Sequence, residues 1–363
     1  MSMQGTTLVG LDVHAAQTHA AVLDVGSGEL RVTKLCVAPE GVVPFLEGLG
    51  SGVRAVYEAG PTGFGLARTA RERGIALEVV APGSIPRGSG DRVKTDRRDA
   101  VRLARLLAAG ELRFAFVPSI ADEQFRDLTR ALEAVRGDLM RARHRLSKLL
   151  LRRGIRYPGP GGNWTLRHMS WLRGLSFDDP CSRGSFADYL AAVELLVGRR
   201  ASLRAALEQA APLSNHAEVI ARLRCFRGID TLSAAGLVAE VGDFRRFPRP
   251  AMLAGYLGIV PSERTSDLKR RQGSITKSGP PHARRLLVEA AHHYRARPAI
   301  GETVARRQEG QDPRVIAVAW RAQQRLHQRW QHLHVQRHKR ASVVAIACAR
   351  ELANFCWEAA ILD

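Results

Sequence analysis

Short apolar runs separated by turn residues fill the first 118 residues of the chain. TTLVGLDVH, AAVLDVGS and RVTKLCVAP each have the composition of a β-strand, and glycine-containing pairs between them indicate turns. Farther on, VVPFLEGL and GFGLARTARERG have helical spacing, VRAVYEAG and ALEVVAP are strand-like, and a helix is predicted to begin near Asp96. The predicted order is therefore three strands followed by helix, strand, helix, strand and helix.

Acidic residues stand at the ends of these predicted elements. Asp12 ends the first strand and Glu58 ends the fourth, whereas Asp96 and Asp99 lie on one face at the start of the last helix. The element order is expected of an RNase H-like α/β domain over residues 1–118, whose first and fourth strands are neighbours. Four carboxylates at one edge need cations, which predicts a site for one or two Mg²⁺. The alternative is that Asp96 caps its helix, Asp12 caps a turn and Glu58 is a surface residue.

Residues 119–215 have the pattern of a helical hairpin. Apolar residues recur at alternating steps of three and four along its first helix, at Phe125, Leu128, Leu132, Val135, Leu139, Ala142, Leu146 and Leu149. The segment YPGPGGNW breaks this helix because proline lacks a backbone donor, and a second helix is predicted to open at Ser185. The heptad pattern favours a coiled coil that joins subunits, and an α-hairpin within one subunit is the alternative.

Residues 216–363 are predicted to form a mainly α-helical C-terminal domain. The stretch IARLRCFRGIDTLSAAGLVAEVGDFRRF resembles a helix-hairpin-helix, whose glycine turn presents backbone N–H groups to a phosphate. Asp230 stands where the second glycine of that turn is usual, so packing of the two helices explains the stretch equally well. LGIVPSE, a polar loop, GSITKSG and a basic amphipathic helix follow.

The chain is strongly basic, with a formal net charge of +20 and a pI near 11.0. Residues 261–340 alone hold 18 Lys and Arg against 6 Asp and Glu. This excess predicts a polyanionic partner, with nucleic acid the commonest. The residues predicted to contact nucleic acid are Lys269, Arg270, Arg271, Lys277, Arg284 and Arg285. The absence of a long apolar run and of a secretory pattern predicts a soluble, cytoplasmic protein, and the five scattered cysteines indicate neither a zinc site nor disulfides.

Three stretches resemble one known family, the DEDD transposases or recombinases of bacterial insertion sequences. They are GLDVHAAQTHAAVLD, YEAGPTGFGLA and RVKTDRRDAVRLARLL, and the C-terminal domain matches the same family in the order of its motifs. The resemblance implies a RuvC-like first domain whose catalytic, metal-binding acids are Asp12, Glu58, Asp96 and Asp99. We interpret His14, two residues after Asp12, as a packing residue or one that supports the acids without binding the metal.

The resemblance also implies a serine nucleophile in the C-terminal loop. Counting five residues from Pro261 of LGIVP places it at Ser266. Ser262, Ser274 and Ser278 are the competing serines, and a glycine-flanked hydroxyl in GSITKSG suits phosphate contact as well as attack. In the family the serine and the acids come from different subunits, and the cut strand is held as a covalent phosphoserine.

The resemblance finally implies the partners. They are double-stranded donor and target DNA, a structured noncoding bridge-type RNA that guides the enzyme, and further copies of the chain in a dimer or tetramer. Basic charge alone fits RNA and DNA equally. The alternatives are a RuvC-like metal-dependent nuclease that hydrolyses without a covalent intermediate, a site-specific DNA invertase, and a non-catalytic nucleic-acid binder.

Overall fold

The computed structural model describes residues 7–86, 95–266 and 269–362, leaving aside the side chains of residues 84, 264–266 and 269–271. Two compact units make up the chain, Met1–Ser119 and Ile120–Asp363. The second unit contains both the predicted hairpin and the predicted C-terminal domain. Within the described residues, no helix is both long enough and apolar enough to cross a lipid bilayer.

The first unit is an α/β domain built on a five-stranded sheet. The strands are β1 (Thr7–Val13), β2 (Thr18–Asp24), β3 (Leu30–Leu35), β4 (Arg54–Glu58) and β5 (Ala76–Val80). The helices are α1 (Val42–Glu47), α2 (Gly65–Glu72) and α3 (Asp96–Ala108). The three leading strands and the alternation after them confirm the order predicted from the sequence.

The strand order of the sheet is β3-β2-β1-β4-β5. The strands β1, β2 and β3 form an antiparallel meander, whereas β4 pairs in parallel with β1 and β5 pairs in parallel with β4. The first and fourth strands are therefore neighbours, as predicted. Parallel neighbours end at the same edge of a sheet, so the residues that close β1 and β4 lie side by side.

The second unit is mainly helical, with one antiparallel β-hairpin. Its long helices are α4 (Ile120–Arg152) and α6 (Pro180–Ala210), with α5 (Leu166–Arg173) between them. The remaining helices are α7 (Ala217–Leu223), α8 (Thr231–Val241), α9 (Pro250–Tyr256), α10 (Pro281–Ala291), α11 (Glu302–Gln308), α12 (Pro313–Trp330) and α13 (Ala341–Ala360). The hairpin pairs β6 (Pro261–Ser266) with β7 (Lys269–Ile275).

The heptad stripe of α4 is covered within the chain itself. Val135, Leu139 and Leu146 are almost fully buried against residues of α5 and α6, including Leu172 and Val193. Within one chain this is the α-hairpin alternative, and a coiled coil that joins subunits stays a prediction. The second long helix begins at Pro180 rather than at the predicted Ser185, because Asp179 caps it by accepting a hydrogen bond from the amide of Ser182 at 2.7 Å.

The segment that resembles a helix-hairpin-helix forms α7, a turn and α8. Gly228 in the turn has a φ of 82°, a conformation that favours glycine. A Cβ atom on Gly228 would lie 2.8 Å from the carbonyl oxygen of Ala290 and 2.9 Å from the ring of His293, so the turn is packed against the end of α10. Phosphate binding by this turn stays a prediction.

Candidate functional site

Two of the predicted acids are placed by neighbouring strands of the sheet. In the β1–β4 pair the last matched residues are Leu11 and Tyr57, both fully buried. Asp12 and Glu58 each follow one residue later, at the point where the strands reach the sheet edge. Both side chains are only partly buried, which suits carboxylates that meet a ligand from solvent.

The other two acids occupy the first turn of α3. Thr95 caps this helix, with its hydroxyl oxygen accepting a hydrogen bond from the amide of Arg98. Helix α3 packs across β1 and β2, burying Ala100 and Ala104 completely. The predicted cap is therefore supplied by Thr95, which leaves the carboxylates of Asp96 and Asp99 available for another role.

Gly10 in the middle of β1 allows α3 to approach this closely. A Cβ atom on Gly10 would overlap the carbonyl oxygen of Ala100 and the amide nitrogen of Ala104, and these backbone atoms cannot move aside. The glycine two residues before Asp12 therefore sets the distance between the strand that carries Asp12 and the helix that carries Asp96. Sequence reasoning missed this role, although a glycine inside a strand is a recognised sign of close backbone approach.

A histidine joins the acids at the sheet edge. The Nε2 atom of His14 lies 3.3 Å from a carboxylate oxygen of Asp12 and 3.7 Å from Oδ2 of Asp96. Possible ligand atoms of these three residues lie within 4.8 Å of one another. In addition, Nδ1 of His19, the cross-strand partner of Asp12, is buried without a hydrogen-bond partner and lies 3.7 Å from the same Asp96 oxygen.

The electrostatics of Asp12 reflect this crowding of acids. Burial raises the pKa of Asp12, the nearby His14 lowers it, and the carboxylates of Asp96 and Asp99 raise it again, so that the net pKa lies above its ordinary value. A bound cation relieves both the burial penalty and the repulsion. The donor set of carboxylate oxygens with an imidazole nitrogen suits a divalent metal ion.

The predicted tetrad is thus only partly gathered into one group. Among the described residues, the close group contains Asp12, His14 and Asp96, whereas Glu58 and Asp99 lie outside it. Glu58 is placed beside Asp12 by strand register, and Asp99 is close enough to raise the pKa of Asp12. His14 lies among the acids themselves, closer to them than a packing role requires. The signal that identifies it is its position two residues after Asp12, which puts both side chains on the same face.

The candidate serines all lie on or beside the β6–β7 hairpin. The hydroxyl of Ser262 donates a hydrogen bond to the carbonyl oxygen of Ser274 at 3.0 Å, and the hydroxyl of Ser278 lies 3.1 Å from that of Thr276. Both hydroxyls therefore have partners inside the unit. Ser274 is exposed, and Ser266 ends β6, paired with Lys269, although its side chain lies outside the described part of the structure.

The motifs LGIVP and ITKSG are held in direct backbone contact. A Cβ atom on Gly258 would overlap the carbonyl oxygen of Ser278, and one on Gly279 would overlap the carbonyl oxygen of Tyr256. The amide of Lys277 donates a hydrogen bond to Gly258 at 3.0 Å, with Lys277 itself at a φ of 57°. These contacts fix the base of the β6–β7 hairpin and leave Lys277 exposed.

The six residues predicted to contact nucleic acid fall into two groups. Lys269, Arg270 and Arg271 lie on β7, their side chains outside the described part of the structure, and Lys277 is exposed.

The last two predicted residues, Arg284 and Arg285, are engaged within the unit. Arg284 donates hydrogen bonds to the carbonyl oxygens of Leu257, Ser278 and Gly279. Arg285 makes two hydrogen bonds to the carboxylate of Glu133, at 2.9 and 2.6 Å, and its side chain is 23% exposed. Both side chains are therefore engaged within the unit, and their contact with nucleic acid stays a prediction.

Two family models match the chain, and together they contain all the predicted catalytic residues. A DEDD transposase model of the IS110 type matches residues 9–153, the range of the four acids. A model described as the transposase IS116/IS110/IS902 family matches residues 220–305, the range of the serine loop. The first match implies an RNase H-like fold for the first unit, in agreement with its sheet.

Curated relatives extend this likeness over almost the whole chain. The transposase homologue y4qE of Sinorhizobium fredii is 40% identical over 354 residues, which are 96% of this chain and 87% of the relative. The transposase for insertion sequence element IS1533 of Leptospira borgpetersenii is 31% identical over 343 residues, covering 93% of this chain and 99% of the relative. A family 20 transposase of Pseudomonas aeruginosa is 27% identical over 298 residues, about four fifths of each chain. This chain therefore belongs to the IS110/IS116 family of insertion-sequence transposases.

Proposed function

We propose that this transposase cuts and rejoins DNA through a serine-phosphate intermediate, with Mg²⁺ held by Asp12, Glu58, Asp96 and Asp99. The observation that carries the proposal is the meeting of Asp12, His14 and Asp96 at the edge of the sheet, where β1 and β4 end and α3 begins. The neighbouring carboxylates of Asp96 and Asp99 contribute to the raised pKa of Asp12, and a cation bound among these partly exposed acids would relieve that repulsion.

The residues at the sheet edge fit a divalent metal. When bound there, Mg²⁺ would stabilise negative charge that develops on the phosphoryl and leaving oxygens. The chain's own contribution is to hold Asp12 on a buried strand and Asp96 on a capped helix, a fixed distance apart. The buried, unpartnered Nδ1 of His19 supports the fit, because it lies beside the carboxylate of Asp96 and can orient it by donating a hydrogen bond.

Ser266 supplies the nucleophile in this proposal. Its hydroxyl oxygen forms a bond to phosphorus as the bond from phosphorus to the 3′ oxygen breaks, the serine proton is lost, and the 3′ oxygen leaves as a hydroxyl. The phosphoserine keeps the energy of the broken diester for rejoining. Between residues 261 and 281 the sequence has no histidine to accept the serine proton, so a carboxylate or the metal must assist.

The partners follow from the same proposal. Double-stranded donor and target DNA are the substrates, a structured bridge-type RNA guides the choice of site, and a dimer or tetramer carries out the exchange. Phosphates of the nucleic acid are bound by the exposed Lys277 and by Lys269, Arg270 and Arg271 of β7. Arg284 holds the base of the loop, and Arg285 is bonded to Glu133 in the middle of α4.

The Ser266→Ala variant tests the nucleophile. With a nicked DNA substrate that traps the cut strand, wild-type protein should give a covalent protein–DNA adduct, and peptide mass spectrometry should locate the phosphate on Ser266. Ser266→Ala should lose both cleavage and adduct while it still binds DNA, whereas the control Ser274→Ala should retain them. Loss in Ser274→Ala alone would move the nucleophile to Ser274.

Cleavage that continues in both serine variants would instead support the metal-dependent nuclease, in which water attacks. Asp96→Asn separates the acids from the serine in the same assay. It should reduce strand cutting about 100- to 1,000-fold, because charge stabilisation at the phosphoryl group is lost, and should leave DNA binding nearly unchanged. Full activity in Asp96→Asn would contradict the role of the acids.

A further inference from the structure

The connection between the two long helices of the second unit is much longer than a hairpin needs. Helix α4 ends at Arg152 and α6 begins at Pro180, so residues 153–179, including the short helix α5, join them. Adjacent antiparallel helices are usually joined by about 2–8 residues, and longer connections usually carry a function. We use the name hairpin head for residues 139–177, the last turns of α4 with most of this connection.

The hairpin head has a packed aromatic interior. The ring of His168 lies 5.0 Å from that of Tyr157, 5.2 Å from that of Trp164 and 5.5 Å from that of Trp171. The amide of Trp164, at a φ of 71°, donates a hydrogen bond to Nδ1 of His168 at 3.1 Å. Because these rings pack on one another, the connection has a defined shape that can present a surface to a partner.

The charge of the hairpin head is of one sign. Its 39 residues contain no aspartate or glutamate and nine basic residues, which are Arg141, Arg143, Arg145, Lys148, Arg152, Arg153, Arg156, Arg167 and Arg173. This is a denser positive charge than that of the C-terminal span 261–340, in which six acids offset part of the excess. Such a concentration of like charge costs stability unless a polyanion offsets it.

Four of these nine basic side chains already contact other residues of the chain. Arg143 stacks over the ring of Trp164 at 5.0 Å, Arg173 pairs with Glu194 at 2.7 Å, and Arg153 donates a hydrogen bond to the hydroxyl of Ser182. Arg141 pairs with Asp138.

The other five basic residues are exposed and, within the described ranges of the chain, have no acidic partner. They are Arg145, Lys148, Arg152, Arg156 and Arg167. The first three follow one another at steps of three and four residues, so they form a single stripe along about 10 Å of the exposed side of α4.

We propose that the hairpin head binds the phosphate backbone of double-stranded DNA through the stripe of Arg145, Lys148 and Arg152. Duplex DNA carries one negative charge about every 1.7 Å along its axis, which matches a continuous row of cations. The aromatic rings pack on one another inside the hairpin head, so they do not stack on unpaired bases. The proposed contact is with phosphates alone and is therefore independent of the DNA sequence. A second copy of the hairpin head is repelled by the same charge. The inference rests on the proposed function, because DNA is the substrate of that reaction.

A triple variant of the full chain, Arg145→Gln with Lys148→Gln and Arg152→Gln, tests the proposal. The probe is a fluorescent 40-base-pair duplex of arbitrary sequence, titrated by anisotropy over a series of salt concentrations. The stripe variant should bind about 10- to 100-fold more weakly at low salt, and the slope of log affinity against log salt should shrink by about 2–3, near one per lost phosphate contact.

The matched control removes three positive charges that already have partners. Arg31, Arg73 and Arg306 are 71%, 66% and 75% exposed and pair with Glu29, Glu47 and Glu302. Their combined replacement by Gln should change the salt slope by less than about one. Equal loss in the stripe and control variants would show a general effect of net charge and overturn the proposal. Unchanged binding by the stripe variant, or loss with an RNA duplex but not with DNA, would overturn it too.

Cross-linking provides a second readout that requires no loss of affinity. Leu166, in the hairpin head, is 91% exposed, and Leu213, outside it, is 87% exposed. A photoreactive p-benzoylphenylalanine should cross-link to the duplex from position 166 and far less from position 213. Equal yields at the two positions would contradict the proposal. If the Ser266 adduct forms normally while both readouts fail, the hairpin-head inference alone is wrong; if wild-type protein forms no adduct, the proposed function is wrong.

Discussion

Acidic residues form a cluster in each unit of this basic protein, and the two clusters differ in which groups offset their negative charge. In the first unit, Asp12 and Asp96 approach each other at the sheet edge with His14 between them, and Asp99 adds further negative charge. In the second unit, Glu133 and Glu240 are each held by arginine. The pKa of Asp12 is raised, whereas those of Glu133 and Glu240 are lowered.

The second cluster joins three helices of one unit. Arg130 of α4 makes two hydrogen bonds to the carboxylate of Glu240 of α8, at 3.0 and 2.8 Å, and His282 of α10 lies 3.4 Å from the same carboxylate. Burial alone would raise the pKa of Glu240, but the hydrogen bonds from His282 and Arg130 outweigh burial and hold it at about 2. Glu133 likewise links α4 to Arg285 of α10.

The comparison teaches how to tell a structural acid from a site for a ligand. An acid that stabilises the fold has its cations supplied by the same unit, so its pKa falls. An acid that awaits a metal faces other carboxylates, so its pKa rises until the metal binds. Neither charge nor burial alone distinguishes an acid that stabilises the fold from one that binds a metal, because the acids of both clusters are at least partly buried.

Glu240→Gln should have the largest effect on stability in this comparison. It leaves Arg130 and His282 without their buried counter-charge, and loss of one partner of such a pair costs about 3–5 kcal/mol of the free energy of unfolding. The five tryptophans all lie beyond residue 160, so urea unfolding followed by tryptophan fluorescence reports the second unit alone.

The control for this prediction is Glu194→Gln. Glu194 and Arg173 form an exposed pair, with side chains 39% and 60% accessible, and its loss should cost less than about 1 kcal/mol. Equal costs in the two variants would show that the Glu240 network does not stabilise the second unit.

The same network predicts how stability depends on pH. The pKa of Glu240 is about 2 in the folded protein and 4.5 in its reference state, so its contribution is complete above about pH 4.5 and is lost as pH falls toward 2. The stability gap between wild type and Glu240→Gln should therefore be large near pH 5 and should shrink as pH falls from 4.5 toward 2. A gap at pH 2.5 as large as that at pH 5 would contradict the assigned pKa.

Gly10→Ala should disturb the first cluster by a smaller amount. The added methyl group meets backbone atoms of α3, and such overpacking costs about 1–3 kcal/mol. Hydrogen–deuterium exchange of peptides from β1 and α3 should become faster, with the second unit unchanged. Gly83→Ala is the control, because a Cβ atom there has nothing within 4 Å. If hydrogen–deuterium exchange is unchanged in Gly10→Ala, the close approach of α3 to β1 at Gly10 does not position Asp96.

Much of the first unit could be predicted from its sequence because local signals determine it. Apolar runs ended by turn residues predicted the strand order, and Asp12 and Glu58 stand where such runs end. These positions, together with the family resemblance, predict the tetrad. The contact of His14 with Asp96 was missed because it depends on how a helix more than 80 residues later packs on the sheet.

In the second unit, the sequence leaves open the features that depend on long-range pairing. The stripe of α4 has the heptad pattern whether it meets another subunit or α6 of the same chain, so periodicity cannot choose between them. Arg285 has the surroundings of a phosphate-binding residue in the sequence, yet its partner Glu133 is 152 residues away. No local pattern contains that pairing.

Metal binding tests the difference between the two clusters most directly. Mn²⁺ substitutes for Mg²⁺ and is observed by electron paramagnetic resonance, so bound ions can be counted in wild type, in Asp96→Asn and in Glu133→Gln. Each variant loses one acid, and tryptophan fluorescence confirms that the second unit remains folded. Wild type and Glu133→Gln should bind one or two ions that Mg²⁺ displaces, whereas Asp96→Asn should lose them. Equal binding by Asp96→Asn and wild type, or loss of the ions only in Glu133→Gln, would contradict the assignment of the sheet edge as the metal site.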